Sequence, residues 1–167
     1  MVQAAYGPAI SYRDGLVNNA RTNDPVLIAL DRGDRLHAAL LDFYENLVTG
    51  AVPDTLGGLG VVFPYPFIAF RGWVGGIVSL NDAHVSRLTT FDGGAYYLLT
   101  LILQLVPYSL ATGAGVNMGL SLWRKQPYYE GKKWLGIPKE AILDVFRIYA
   151  VVVPLFFAAS LFEFFTV

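Results

Sequence analysis

The chain contains no cysteine. Disulfides, thiolate catalysis and cysteine-ligated zinc or iron–sulfur centres are therefore excluded. Histidine is nearly as scarce: His37 and His84 fall short of the three or four ligands that a protein metal site uses. His84 shares a polar stretch with Asp82, but Arg87 and Asp92 beside them make salt bridges as good a reading as a metal. One histidine suffices for axial haem ligation, yet neither sits within an apolar helical pattern, so no cofactor is expected. Charge is sparse too. Asp, Glu, Lys and Arg make up 15% of the residues, against about a quarter in a soluble domain. The net charge of -1 leaves no basic surface for nucleic acid, and Tyr6, Tyr12 and Tyr44 near cationic residues do not make a base-stacking platform. There is no phosphate loop, dinucleotide fingerprint, H-E-x-x-H or nucleophile elbow. No catalytic residue is assigned, and a non-enzymatic protein is expected.

What the chain does have is a long uncharged run from Gly93 to Trp123. About twenty apolar residues cross the hydrocarbon core as a helix, and residues 52–80 and 141–166 read as further crossings. Mean hydropathy is +0.47. The expected class is all-α: a polytopic membrane bundle with about three transmembrane helices and an amphipathic N-terminal helix. Met1–Asn23 has no apolar core and so does not read as a secretory signal.

Residues 1–35, broken by Gly7, Pro8, Gly15, Pro25 and Gly33, read as an extended polar arm that docks a partner. Within it, Asp24 before Pro25 is a helix-start signal. From residue 36 to 48, Leu36, Leu40, Phe43, Leu47 and Val48 form one apolar stripe, with Asp42 and Glu45 beside or opposite it. Such a helix suits either a membrane surface or packing within the domain. The membrane domain then spans 36–167, with the first crossing at 52–80. Pro53, Pro64 and Pro66 and six glycines interrupt that crossing, so residues 52–62 read as a short re-entrant or interfacial piece. The second crossing, 95–122, carries Pro107 and the close-packing pair Gly115 and Gly119. The third covers 141–166.

Three crossings place the arm and the loop 123–140 on one side. Arg13, Arg21, Arg32 and Arg35 together with Arg124, Lys125, Lys132, Lys133 and Lys139 make that side cytoplasmic by the basic-residue bias. The same loop carries Trp123, Tyr128, Tyr129 and Trp134, residue types suited to the headgroup level. Arg124, Lys125, Lys132, Lys133, Trp123 and Trp134 are therefore the expected contacts for phospholipid headgroups or a partner. Inside the crossings, Arg71, Gln104, Asn117 and Glu163 are the polar positions to watch, with Gly72, Gly76, Gly115 and Gly119 as packing positions. An intramembrane arginine is costly unless paired or snorkelling, and Arg71 with Glu163 is the expected pair. Gln104, Asn117 and Thr112 suit interhelical hydrogen bonding beside the Pro107 kink.

Several of these positions resemble the stage II sporulation protein M family over residues 42–166. Phe43-Tyr44-Glu45-Asn46-Leu47 is similar to its aromatic-x-x-Asn-Leu lead into a glycine-rich helix, and Gly57 through Gly60 to that helix's small-residue run. Arg71-Gly72-x-x-Gly75-Gly76 resembles its Asn-Gly-x-x-x-Gly motif, with Arg71 in place of asparagine. Gln104-Leu105-Val106-Pro107, then Gly113, Gly115 and Gly119, resembles its Glu-Leu-x-Ala stretch and later glycines, with Gln104 for glutamate and no upstream histidine. Ala158-Ala159-x-x-x-Glu163-x-Phe165 resembles its closing helix. The resemblance implies a multi-pass helical protein of a prokaryotic inner membrane. The founding role is scaffolding cell-wall hydrolases. The two altered polar anchors imply a divergent member serving as an accessory subunit beside other integral-membrane subunits. A small oligomeric transporter or channel-like protein, with the Pro64/Pro66 break lining a passage, is the alternative.

Overall fold

The computed structural model describes residues 7–124, 127, 129 and 131–166. Tyr6, Lys125, Tyr128 and Glu130 lie outside the described residues. Apart from one two-residue hairpin, the described residues form an all-helical bundle.

The arm is folded rather than extended. It forms α1 (Gly7–Asn23) and α2 (Pro25–Asp31). Its prolines stand at helix starts, where a missing N–H removes no intrahelical bond. Gly33, at φ +80°, makes the turn out of α2. The expected start of α2 is in place: the Asp24 carboxylate accepts from the Val26 amide at 2.8 Å, with Pro25 as the first helical residue.

Next comes one uninterrupted helical column: α3 (Arg35–Tyr44), a π-helical segment (Glu45–Ala51) and α4 (Val52–Gly58). At about 1.5 Å per residue it is roughly 35 Å long. The expected division into a surface helix over 36–48 and a separate piece over 52–62 is thus corrected. Pro53 gives the reason for the π segment: it cannot donate to the preceding turn and its ring crowds that turn's carbonyl, so wider turns just before it relieve the clash. The chain reverses over Leu59–Phe63, and α5 (Pro64–Val78) returns. Pro64 and Pro66 do not break a crossing. They occupy the first turn of α5, and the break lies upstream, after Gly58.

A connection over 79–90, with a 3₁₀ turn at Arg87–Thr89, leads into α6 (Phe91–Trp123), which continues through Pro107. Strands β1 (Lys133–Trp134) and β2 (Ile137–Pro138) form a hairpin whose turn residues, Leu135 and Gly136, both have positive φ, as a type I′ turn requires. Finally α7 (Lys139–Phe165) runs back along α6.

Side-chain pairs fix the directions. Along the column, Asp42 meets Ser160 and Asn46 meets Tyr108, while Thr55 meets Ala111 and Tyr149. The column is therefore parallel to α6 and antiparallel to α7. Its middle packs in a core of Ala51, Ala111, Val152 and Phe156, and its start joins Val26, Ala29, Ala38, Ala39 and Phe164. Tyr96 near the start of α6 bonds to Glu163 near the end of α7, and the arm bonds to the 79–90 connection. The arm, that connection and the end of α7 consequently share one end of the bundle. The Leu59–Phe63 turn and the basic loop share the other.

This overturns the three-crossing order, in which the arm and the basic loop lie together. The column itself runs the length of the bundle, a pass that the sequence reading did not count. Arg13, Arg21, Arg32, Arg35 and Arg87 sit at the opposite end from the described loop residues Arg124, Lys132, Lys133 and Lys139. Among the described residues the groups number five and four, so the basic-residue bias no longer orients the N-terminus.

Two helices, α6 and α7, are long and apolar enough to cross a membrane. Only 28% and 22% of their most apolar windows are buried, so most of that surface points outward instead of forming a core.

Candidate functional site: polar pairs between the helices

The column buries its small residues, Ala38, Ala39, Gly50, Ala51 and Gly58, turns two polar side chains inward among them, and leaves several large apolar residues outside. Leu36, Leu40, Tyr44 and Val48 are exposed. On the inward side, Ser160 Oγ donates to Asp42 Oδ2 at 2.6 Å, and Tyr108 Oη donates to Asn46 Oδ1 at 2.7 Å. Phe43 and Leu47 pack into the central core, so only part of the expected stripe is buried. The sequence reading left Asn46 and Asp54 out of its polar set. The i, i+4 spacing of Asp42 and Asn46 was the available signal.

Arg71 does not pair with Glu163. Its Nη1 donates to Asp54 Oδ2 at 2.6 Å, and its Cζ lies 4.6 Å from the Tyr108 ring centroid, within cation–π range. The physical reason is placement. The return helix α5 presents Arg71 to α4 and α6, whereas Glu163 faces the start of α6. There Gln104 Nε2 donates to Glu163 Oε2 at 2.7 Å, and Tyr96 Oη donates to the Glu163 carbonyl oxygen at 2.9 Å. Gln104 is thus interhelical, as expected. Thr100 lies between Tyr96 and Gln104 on the same face, and its buried hydroxyl has no hydrogen-bond partner among the described residues.

Asn117 ties the basic loop to the bundle. It donates to the Tyr129 hydroxyl at 2.7 Å, which donates to Asp144 Oδ2 at 3.0 Å. Burial, the largest influence, raises the Tyr129 phenol above its ordinary value. Trp123, Arg124, Lys132, Lys133 and Trp134 are exposed at this end, while Lys125 lies outside the described residues. Thr112 is buried in α6.

The four packing glycines divide into two pairs. Gly115 and Gly119 face the α4 backbone: a Cβ on either would collide with the carbonyl oxygen of Thr55 or Leu59, and one on Gly58 would lie 2.7 Å from Gly115 and Val116. A Cβ on Gly72 or Gly76 meets nothing within 4 Å.

Asp82 and His84 hold the arm. Arg13, only 4% exposed, donates through Nη2 to the Leu80 carbonyl oxygen at 2.8 Å and through Nη1 to Asp14 at 2.7 Å. Arg21 pairs with Asp82 at 2.7 Å, and His84 Nε2 lies 3.1 Å from both oxygens of Asp14. Tyr12 packs on Trp73 of α5, with ring centroids 5.2 Å apart. Arg13→Ala should release α1, raising its cleavage by protease on the order of tenfold, because a buried charge-assisted bond network is lost. Equal cleavage of both proteins would contradict this latch.

Arg13, then His84, holds the Asp14 carboxylate below its ordinary value, and Arg21, then Arg13, does the same for Asp82. Depressed folded-state values contribute fully above the unfolded value of about 3.9 and are lost as pH falls through the lower folded value. Arm docking, read by Trp73 fluorescence in a variant lacking Trp123 and Trp134, should therefore hold from about pH 8 to about pH 5 and be lost below about pH 4. Release near neutral pH would show that these pairs do not secure the arm.

No family model, curated protein or solved structure matches the chain.

Proposed function

We propose that the chain is a non-enzymatic integral-membrane subunit that stabilises a larger membrane protein complex, with phospholipids covering its apolar belt. The carrying observation is the outward apolar surface of α6 and α7, both long and apolar enough to cross a membrane with only 28% and 22% of their most apolar windows buried. Leu36, Leu40 and Val48 join it on the outside of the column, while Asp42 and Asn46 bond inward. In water an apolar surface of that extent is unfavourable, whereas hydrocarbon covers it, and Asp42 and Asn46 have their partners inside the bundle. The exposed set of Trp123, Arg124, Lys132, Lys133 and Trp134 at one end, suited to anionic headgroups, supports the same reading. In this reading a divergent relative of the stage II sporulation protein M family sits in a prokaryotic inner membrane beside other integral subunits. The test is extraction. Alkaline carbonate should leave the chain in the membrane, and gentle detergent should release it in a particle larger than 18.3 kDa plus its micelle. Release by carbonate contradicts membrane integration, and a monomer in every mild detergent contradicts the subunit role.

A second reading, a small oligomeric transporter, is favoured by one observation: among the described residues, neither Asp42 nor Glu163 forms an ion pair inside the bundle. Proton or cation flux in reconstituted vesicles that is abolished by Glu163→Gln would establish it. The subunit reading expects no flux.

A further inference from the structure

We infer that the groove between the second half of α6 and the first half of α7 binds one anionic phospholipid, with its phosphate on Arg147 and an acyl chain running toward the middle of the bundle. The inference rests on the membrane-subunit reading and adds one specific lipid site to it.

Shape is the first argument. The groove has a volume of about 450 Å³ and is lined by Leu110, Gly113 and Asn117 of α6 and by Asp144, Arg147 and Ile148 of α7. Gly113 leaves it open: the residue is exposed, and a Cβ there would meet nothing within 4 Å. Since α7 runs back along α6, Asn117 and Asp144 stand at the end nearest the basic loop, where Tyr129 joins them. Leu110 and Ile148 stand at the other end, packed against the central core. The groove is therefore polar at its mouth and apolar further in, the order of a phospholipid from headgroup to acyl chain.

Hydrogen-bonding capacity selects the sign of the charge. Both Asp144 oxygens are occupied: Oδ1 accepts from Arg147 Nη1 at 2.7 Å, and Oδ2 accepts from Tyr129 Oη at 3.0 Å. A guanidinium has more N–H donors than one carboxylate oxygen uses. Among the described residues Asp144 is the one side chain that accepts from Arg147, whose side chain is 73% exposed. The capacity left at the mouth is that of a donor, and a phosphate matches it. The surrounding charge has the same sense. Among the described residues, Arg124, Lys132, Lys133, Lys139 and Arg147 stand at this end against Glu140 and Asp144, a balance that attracts anions.

Level selects the source of the phosphate. Trp123 and Trp134 are exposed at this end and suit the headgroup region. Asn117 lies roughly 9 Å along α6 from Trp123, and Arg147 about 12 Å along α7 from Lys139. An arginine at that depth lays its stem along apolar surface and lifts its head to the phosphate layer. The anions concentrated at that level are lipid headgroups.

The test counts retained lipid. The chain, purified in mild detergent, would be mixed with micelles containing equal amounts of phosphatidylglycerol and phosphatidylcholine, then examined by native mass spectrometry. One phosphatidylglycerol per chain should be retained in preference to phosphatidylcholine. Gly113→Leu fills the groove, and Arg147→Gln removes the guanidinium. Each should lower retention about tenfold, the scale of one charge-assisted hydrogen bond. Both positions are exposed, so the melting temperature in detergent should stay the same. Arg32→Gln, at the other end of the bundle, should leave retention unaltered. Equal retention of the two lipids overturns the inference in favour of a lipid belt blind to charge. Undiminished retention in both groove variants places the lipid elsewhere and overturns it as well. Release of the chain from native membranes by carbonate overturns the membrane reading itself, whereas carbonate resistance without retained phosphatidylglycerol overturns the groove alone.

Discussion

Gly115→Leu is expected to prevent assembly of the bundle. At this position α4 and α6 touch backbone to backbone. A Cβ on Gly115 overlaps the Thr55 carbonyl oxygen, and the facing Gly58 has room for none either. No flexible side chain can yield, so the helices must separate. Separation strips the Thr55 hydroxyl from the Ala111 carbonyl oxygen at 3.0 Å and from Tyr149 at 2.8 Å. Overpacking of a core costs about 1–3 kcal/mol when side chains can adjust. A backbone collision belongs above that range, at about 3 kcal/mol or more. Gly72→Leu is the control. Its Cβ meets nothing, and replacing glycine within an exposed helix is neutral or stabilising by up to about 1 kcal/mol. Thermal unfolding in detergent, followed by size-exclusion chromatography, should separate the two variants widely. Similar melting of both would contradict the crossing of α4 on α6.

The second large effect is the coupling of Arg71 to Asp54. In the proposed membrane setting, removing either partner leaves an uncompensated charge away from water. With Arg71 44% and Asp54 20% exposed, Arg71→Leu and Asp54→Leu should each destabilise the folded chain by about 2 kcal/mol, below the scale for breaking a fully buried pair. The double variant should recover much of that loss, because replacing both partners by apolar groups removes the desolvation cost along with the attraction. A coupling energy of about 2 kcal/mol is expected between these two positions. Between Arg71 and Glu163 it should be near zero, since Glu163 bonds to Gln104 instead. Coupling of Arg71 to Glu163 with none to Asp54 would reverse the assignment.

Much of the secondary structure is legible in the sequence. The uncharged run over α6, the apolar run over α7, the Asp24–Pro25 start and the close-packing Gly115 and Gly119 all follow from local chemistry. The failures have local causes too. Prolines and glycines in the arm, and Pro64 and Pro66 in α5, read as breakers, although at a helix start proline removes no bond. The column was cut in two because Pro53 falls within it, and a π segment that absorbs a proline has no simple sequence signature. Missing that pass reversed the placement of the arm relative to the basic loop. It also hid Asp54, which made Glu163 the nearest available partner for Arg71. Pairing depends on which helices are neighbours, and a single sequence of apolar helices carries little information about that.

The most direct measurement is sided labelling of single cysteines in sealed membrane vesicles. Asn18→Cys, Ala83→Cys, Thr166→Cys and Lys132→Cys all place the thiol at exposed positions. An impermeant maleimide should label residues 18, 83 and 166 from one side of the membrane and residue 132 from the other. Labelling of 18 with 132, opposite 83, would restore the three-crossing order and contradict the fold. Labelling of all four from the same side would contradict a bundle that spans the membrane.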